Sequence, residues 1–321
     1  MSVSREYLSS CAAESGYGES SLEKVIRLGE LAGDIAKHGL LGECLALKGG
    51  TALQLCFGPP SRLSVDLDFN YVGSASREQM LADRPGVEEA ILGLASRRGY
   101  AVSRSRPEHA GGKIFLGYRS VLGTPDRIEV DLNFLFRTPL EPVEARSVWQ
   151  PGDLDRPTVR TVGLTELLAG KLIALLARSA PRDLWDVANL NEEAHCRLPT
   201  PAFRSWFVGI ASVLNHPLST YGAESIGHRL TQSDIDTQLG PMLTSGETPY
   251  IDELLAAVRS IVRPLLDLTP AEQEFAAAVA TGEVRAELLF PDDDRACRLL
   301  KEHPALAWKL ENVRRHLGRR R

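Results

Sequence analysis

Two kinds of chemistry meet in the stretch LALKGGTALQLCFGPPSRLSVDLDFNYVG, residues 45 to 73. Gly49, Gly50 and Thr51 make a small-residue turn, and Asp66 and Asp68 alternate shortly afterwards. Glycines let a backbone approach a ligand closely, and amide groups at a helix start favour anions. Carboxylates at i and i+2 of a strand stand roughly 6–7 Å apart on one face. Such oxygens suit a hard cation such as Mg2+, which takes carboxylates plus substrate phosphates. Each signal alone has two readings. Gly-Gly turns are common, and an Asp-x-Asp pair also describes a solvated strand face. The sharper reading is a phosphate cradle beside a divalent-metal site.

Later residues extend the set. Asp131 lies in RIEVDLNFLF, where Ile128, Val130, Leu132 and Phe134 alternate with Glu129, Asp131 and Asn133. If this run pairs near the Asp66–Asp68 run, three carboxylates meet. Like charges that close are destabilising unless a cation neutralises them. Two ions about 3.5–4 Å apart would align a nucleophile, a phosphorus and a leaving pyrophosphate. Lys171 sits among Leu167, Leu168, Ala174 and Leu175 at helical spacing. A lysine there either snorkels to water or meets a triphosphate as a point charge. RDLWDVANL puts Asp183 and Asp186 on one helix face beside Arg182. Structural ion pairing and phosphate handling are both open for that group.

These residues need elements to hold them. Residues 21–38 carry Leu22, Val25, Ile26, Leu28, Leu31 and Ile35 at helical spacing. CLALK reads as a short buried strand leading into Gly49. Residues 51–57 read as one or two helical turns, and GPPSR as a break, because two prolines remove backbone donors. LSVDLDFNYV alternates: Val65, Leu67 and Phe69 on one face, Ser64, Asp66, Asp68 and Asn70 on the other. That is the period-2 signature of a strand with one buried face. Residues 76–98 read as a helix. KIFLGYRSV and RIEVDLNFLF, joined by LGTPD, predict an antiparallel hairpin. From about residue 163 the period changes to 3.6. Helices are expected over TELLAGKLIALLARS, PRDLWDVANLNEEA, 201–215, 249–267, 270–281 and 294–317. The expected division is a helical segment at 1–40, an α/β domain at 41–162 and a helical C-terminal domain at 163–321. Residues 139–162 serve as the connector, and the first twenty or so as loose chain or a short helix.

Composition narrows the class. At 43% hydrophobic and 25% charged, the 321 residues look like an ordinary globular protein. No apolar run approaches the ~20 residues that span a bilayer. The first residues have no signal-peptide pattern. Together these predict no membrane partner and a cytoplasmic protein. Five scattered cysteines and seven histidines without ligand spacing argue against a disulfide framework or a zinc site. A net charge of −5 excludes a surface that binds nucleic acid throughout. The basic tail ENVRRHLGRRR remains open as a phosphate contact or a solvated helix end.

The run KGGTALQLCFGPPSRLSVDLDF resembles the first motif of the AbiEii/AbiGii toxin family, whose mycobacterial members are the MenT nucleotidyltransferase toxins. The family pattern is a Gly-Gly-Ser/Thr turn, an Arg-x-Ser/Thr-x-Asp-x-Asp segment, a later strand acid, a helix lysine and an Arg-x-Lys-Asp-x-x-Asp motif. Gly49-Gly50-Thr51, Arg62 to Asp68, Asp131, Lys171 and Arg178 to Asp186 match it in order. Arg182 stands where the family often has Lys. The resemblance covers roughly residues 40–195. It implies an α+β fold, with a DNA polymerase β-like nucleotidyltransferase core on a mixed or antiparallel sheet and an all-helical C-terminal domain. It implies a toxin that transfers a nucleotide from an NTP to an RNA acceptor, with tRNA 3′ ends as targets in some members, and a cognate antitoxin. Mg2+, or Mn2+, would bind Asp66, Asp68 and Asp131. The nucleotide would meet Gly49, Gly50, Thr51, Arg62, Ser64, Lys171, Arg182 and Asp183. Asp66, Asp68, Asp131, Lys171 and Asp186 would carry catalysis. Two rival readings keep the residues but change the role: a protein or small-molecule acceptor, or a non-catalytic nucleotide-binding module.

Overall fold

The computed structural model describes residues 3–105 and 110–318. The chain forms two compact units, Met1–Gly163 with Leu239–Thr248, and Leu164–Gln238 with Pro249–Arg321. The last residues of the basic tail, 319–321, lie outside the described residues.

The first unit opens with helices α1 (Arg5–Ser15), α2 (Glu19–Lys37) and the short α3 (Leu41–Cys44). Strand β1 (Leu45–Lys48) runs directly into helix α4 (Gly49–Cys56), and β2 is Asp66–Tyr71. Helix α5 (Arg77–Arg97) precedes β3 (Ala101–Arg104), β4 (Gly111–Arg119) and β5 (Pro125–Asn133). Strands β6 (Glu144–Ser147) and β7 (Thr158–Thr161) complete a seven-stranded mixed sheet, ordered β3-β4-β5-β2-β1-β7-β6. β2 pairs parallel with β5 and β1 parallel with β7, and the other pairs are antiparallel.

The sheet has one dry face. Leu47, Leu67, Phe69, Ile114, Leu116, Ile128, Val130 and Leu132 are all buried, and α2 packs on β2, β5 and β7. Buried Glu23 ties α2 to the β4–β5 turn: it pairs with Arg27 (2.8 Å) and accepts from Ser120 Oγ and the Val121 amide. Leu239–Thr248 returns to this unit, where Leu63 N–H donates to the Met242 carbonyl (2.8 Å) and Tyr17 bridges Thr244.

The second unit is helical. α6 (Leu164–Arg178), α7 (Pro181–Ala188), α8 (Glu192–Arg197) and α9 (Pro201–Ala211) are followed by α10 (Gln232–Gln238), α11 (Ile251–Leu266) and α12 (Pro270–Ala280). α13 (Asp294–Glu302) and α14 (Pro304–Gly318) end it. α6 packs against α7, α8 and α9, and α11 against α7.

Several elements differ from expectation. PRDLWDVANLNEEA is two helices, because Asn191 caps α8 through its side chain on the Ala194 amide. The 294–317 run breaks at Pro304, which starts α14. β3, β6 and β7 were not expected. Each spans four residues, too few for periodicity to register.

The two faces of β2 predict opposite mutational behaviour. Phe69→Ala is expected to lower unfolding free energy by about 3–5 kcal/mol in a denaturant titration. Asp66→Asn, on the other face, is expected to change it by less than about 1 kcal/mol.

Candidate active site

Strand register sorts the polar residues. Asp68 on β2 lies opposite Lys48 on β1 and opposite Asp131 on β5, and Asp131 lies opposite Lys113 on β4. Residues directly opposite one another share a face. One cross-strand row therefore reads Lys48, Asp68, Asp131, Lys113. In the adjacent row, Asp66 is opposite Glu129, which is opposite Phe115. Strands stand about 4.8 Å apart, so Asp68 and Asp131 bring like charges close together. Lysines at both ends of the row offset them. Lys113 Nζ lies 3.9 Å from Asp131 Oδ2 and pairs more closely with Glu129. The Glu129 hydrogen bond outweighs partial burial. With the charges of Glu129, Asp131 and Asp68 it holds the Lys113 ammonium above its ordinary pKa.

The glycine turn touches this row. Gly49 opens α4 at a φ of 71°, in the left-handed region. A Cβ placed there would overlap the Asp68 carboxylate. Gly49 thus brings the start of α4, with its unpaired first-turn amides, against Asp68. Gly50 follows at the second helical position.

Thr51, Ser64 and Arg62 support the turn from beneath. Thr51 is fully buried; its hydroxyl donates to the Asp66 carbonyl and shares a hydrogen bond with Ser64 Oγ (2.9 Å). This fastens α4 to the start of β2. Buried Arg62 donates from Nη1 to the Leu63 carbonyl (2.8 Å). The sequence offered all three as direct nucleotide contacts. The structure puts the hydroxyls of Thr51 and Ser64 and the Arg62 guanidinium in the interior of the first unit.

The second unit holds its own ionic cluster. Lys171 Nζ on α6 pairs with Asp183 Oδ1 (3.0 Å) and Asp186 Oδ2 (2.7 Å) on α7. Exposed Arg178 adds a second cation, its Nε at 2.8 Å from Asp183 Oδ2. Both carboxylates are fully buried, and Lys171 is 8% exposed. Burial pushes the Asp183 carboxyl up, but Lys171 and Arg178 outweigh it and hold it below the ordinary range. Arg182 is half-buried at the second position of α7. Ser179, between the two helices, is held at a φ of 48°, an uncommon conformation for a residue with a Cβ.

Among the described residues, no group of three or more His, Cys, Asp or Glu side chains converges closely enough to hold a metal by itself. The chemistry of the sheet face still fits one. A small hard cation is held by one or two carboxylates, with phosphate and water completing its shell. Asp68 and Asp131 share a row, Asp66 is next along β2, and the Asp68 carboxylate borders a turn that only glycine fits.

Sequence reasoning put Glu129 on the acidic face without giving it a role, and missed Lys48 and Lys113. The alternation of KIFLGYR already set Lys113 opposite to the Ile114 face. What it could not supply was the register that lines up four strands.

The family described as nucleotidyl transferase AbiEii toxin, type IV toxin–antitoxin system, matches residues 33–263. That range takes in helical residues beyond the motifs. The fold is similar to MenT4, a nucleotidyltransferase toxin from Mycobacterium tuberculosis H37Rv. The likeness covers 95% of this chain and 99% of that one, with a TM-score of 0.61 and 21% identity. No curated protein matches the chain by sequence.

Two stability predictions follow from the buried cluster. Lys171→Met leaves two buried carboxylates without their shared cation and is expected to cost about 3–5 kcal/mol in chemical unfolding. The second concerns acid. Asp183 has a depressed folded pKa, so its contribution is full above the ordinary carboxylate range and is lost as pH falls through the folded value. The stability of the wild type against unfolding should fall from about pH 5 downward, and Asp183→Asn should flatten that limb.

Proposed function

The chain belongs to the AbiEii family of nucleotidyl transferase toxins of type IV toxin–antitoxin systems, and from that premise we propose that it transfers a nucleotide from an NTP to the 3′ end of tRNA, in a Mg2+-dependent reaction that blocks translation. The observation that carries the reading is the Asp68–Asp131 pair bordering the Gly49 turn.

The first amides of α4, at Gly49 and Gly50, receive the β- and γ-phosphates. Thr51 and Ser64 hold that turn rigid, and Arg62 braces the loop before β2. With substrate phosphate completing the shell, Asp68 and Asp131 would hold Mg2+, or Mn2+ in its place, and Asp66, next along β2, would join them. When bound, the cation supplies charge neutralisation and polarisation of the phosphate oxygens. The acceptor hydroxyl oxygen bonds to the α-phosphorus, the bond from that phosphorus to the departing pyrophosphate breaks, and Asp131 takes the hydroxyl proton. Little else is asked of the protein, because such transfers depend on positioning and electrostatic stabilisation. Lys171, its ammonium fixed by Asp183 and Asp186, holds α6 to α7 within the second unit. A cognate antitoxin restrains the activity, as expected of a toxin–antitoxin pair.

The test presents α-labelled NTPs, one base at a time, with total RNA and with total protein. The wild type should label an RNA of tRNA size with a preferred base. Asp66→Ala should lower labelling by at least about 100-fold while its melting curve stays near wild type. Full labelling by Asp66→Ala, or label appearing on protein instead, would overturn the proposal.

A further inference from the structure

The face that carries the acids continues beyond them, and the continuation changes sign. One row past Asp68–Asp131 stands the Asp66–Glu129–Phe115 row, and beyond that Gly117 on β4 faces Arg127 on β5. Arg127 is exposed, and its guanidinium lies over the half-buried Phe115 ring, 4.8 Å from the centroid. The next residue of this face on β4 is Arg119, also exposed. On β3 the same face presents Ser103 opposite Phe115 and Ala101 opposite Gly117, both exposed. Beyond the Asp66–Glu129–Phe115 row, then, the described residues of this face on β3, β4 and β5 carry two arginines and no acid.

The direction of the reaction gives this patch an occupant. Transfer is in line, so the attacking hydroxyl and the leaving pyrophosphate lie on opposite sides of the α-phosphorus. The phosphate-binding turn at Gly49 lies on the β1 side of Asp68. The acceptor therefore comes from the other side, over β5 and β4. We propose that Phe115 and Arg127 form the platform for the single-stranded 3′ end of the RNA acceptor, a role that rests on the nucleotidyltransferase reading above. An unpaired base stacks on the ring–guanidinium pair, since bases stack on aromatic rings and on arginine planes alike. Arg127 and Arg119 meet the backbone phosphates. Glu129, directly opposite Phe115, pairs with Lys113 and keeps it turned along the sheet. Phosphate takes no part in a contact with an acid on this side, so the strand is drawn to the arginines and its terminal hydroxyl is left over Asp131.

The partner chemistry is specific. A protein acceptor would gain little from two arginines flanking an aromatic plane, whereas a single strand with both a phosphate backbone and open bases uses each of them.

The experiment measures binding of a fluorescent RNA hairpin with a four-nucleotide single-stranded 3′ end to the full-length protein, by anisotropy, without NTP. Phe115→Ala should weaken binding about ten-fold, and Phe115→Trp should restore it. Arg127→Gln should weaken it and lower its salt dependence. Binding of Mg2+–NTP, followed by calorimetry, should be the same in all three variants. If the wild type labels RNA but Phe115→Ala and Arg127→Gln bind the hairpin within two-fold of it, the platform is refuted and the nucleotidyltransferase reading stands. If the wild type neither labels RNA nor binds the hairpin, both fall. Loss of Mg2+–NTP binding together with RNA binding assigns Phe115 to the nucleotide and also refutes the platform.

Discussion

The two-faced pleat of β2 and β5 is the constraint on which the rest depends. Their parallel pairing sets Leu67 opposite Val130 and Phe69 opposite Leu132, and in the same register Asp68 opposite Asp131. A slip of one residue would turn every side chain over, driving carboxylates against α2 and leaving the leucines in water. Burial of the apolar set thus fixes the position of the acids. The fold holds two like charges side by side because the dry face leaves it no other register.

That enforced closeness explains the neighbouring charges. Lys48 and Lys113 bracket the pair at the ends of one row, and Gly49 admits the Asp68 carboxylate where any side chain would exclude it. The second unit solves a similar problem differently. There two fully buried carboxylates surround a nearly buried lysine, an arrangement that is stable only while all three remain. One cluster is built with an open side, the other is closed on itself.

Much of this was legible in the chain. Alternation in LSVDLDFNYV and RIEVDLNFLF put Asp66, Asp68 and Asp131 on polar faces, and the hairpin of β4 and β5 followed from LGTPD between two alternating runs. The Gly-Gly-Thr turn, the Asp pair and the later acids were enough to point to the AbiEii family, and the family match bears that out. Other features depend on what a single chain does not display. The inward turn of Thr51 and Ser64 requires knowing that α4 sits on the start of β2. The Lys48–Asp68–Asp131–Lys113 row needs the registers of three strand pairs at once. The return of Leu239–Thr248 to the first unit rests on backbone bonds to Leu63 and Tyr17, which no side-chain pattern announces. The short strands β3, β6 and β7 carry too few residues to show a period.

The central claim is that Asp68 and Asp131 act as one cation-binding pair. Electron paramagnetic resonance of Mn2+, titrated with a non-hydrolysable NTP into the wild type, Asp68→Asn, Asp131→Asn and the double variant, addresses it without relying on turnover. Each single variant should weaken Mn2+–nucleotide binding at least about ten-fold, and the double variant should lose less than the sum of the two, as coupled neighbours do. Wild-type affinity in both single variants would contradict it.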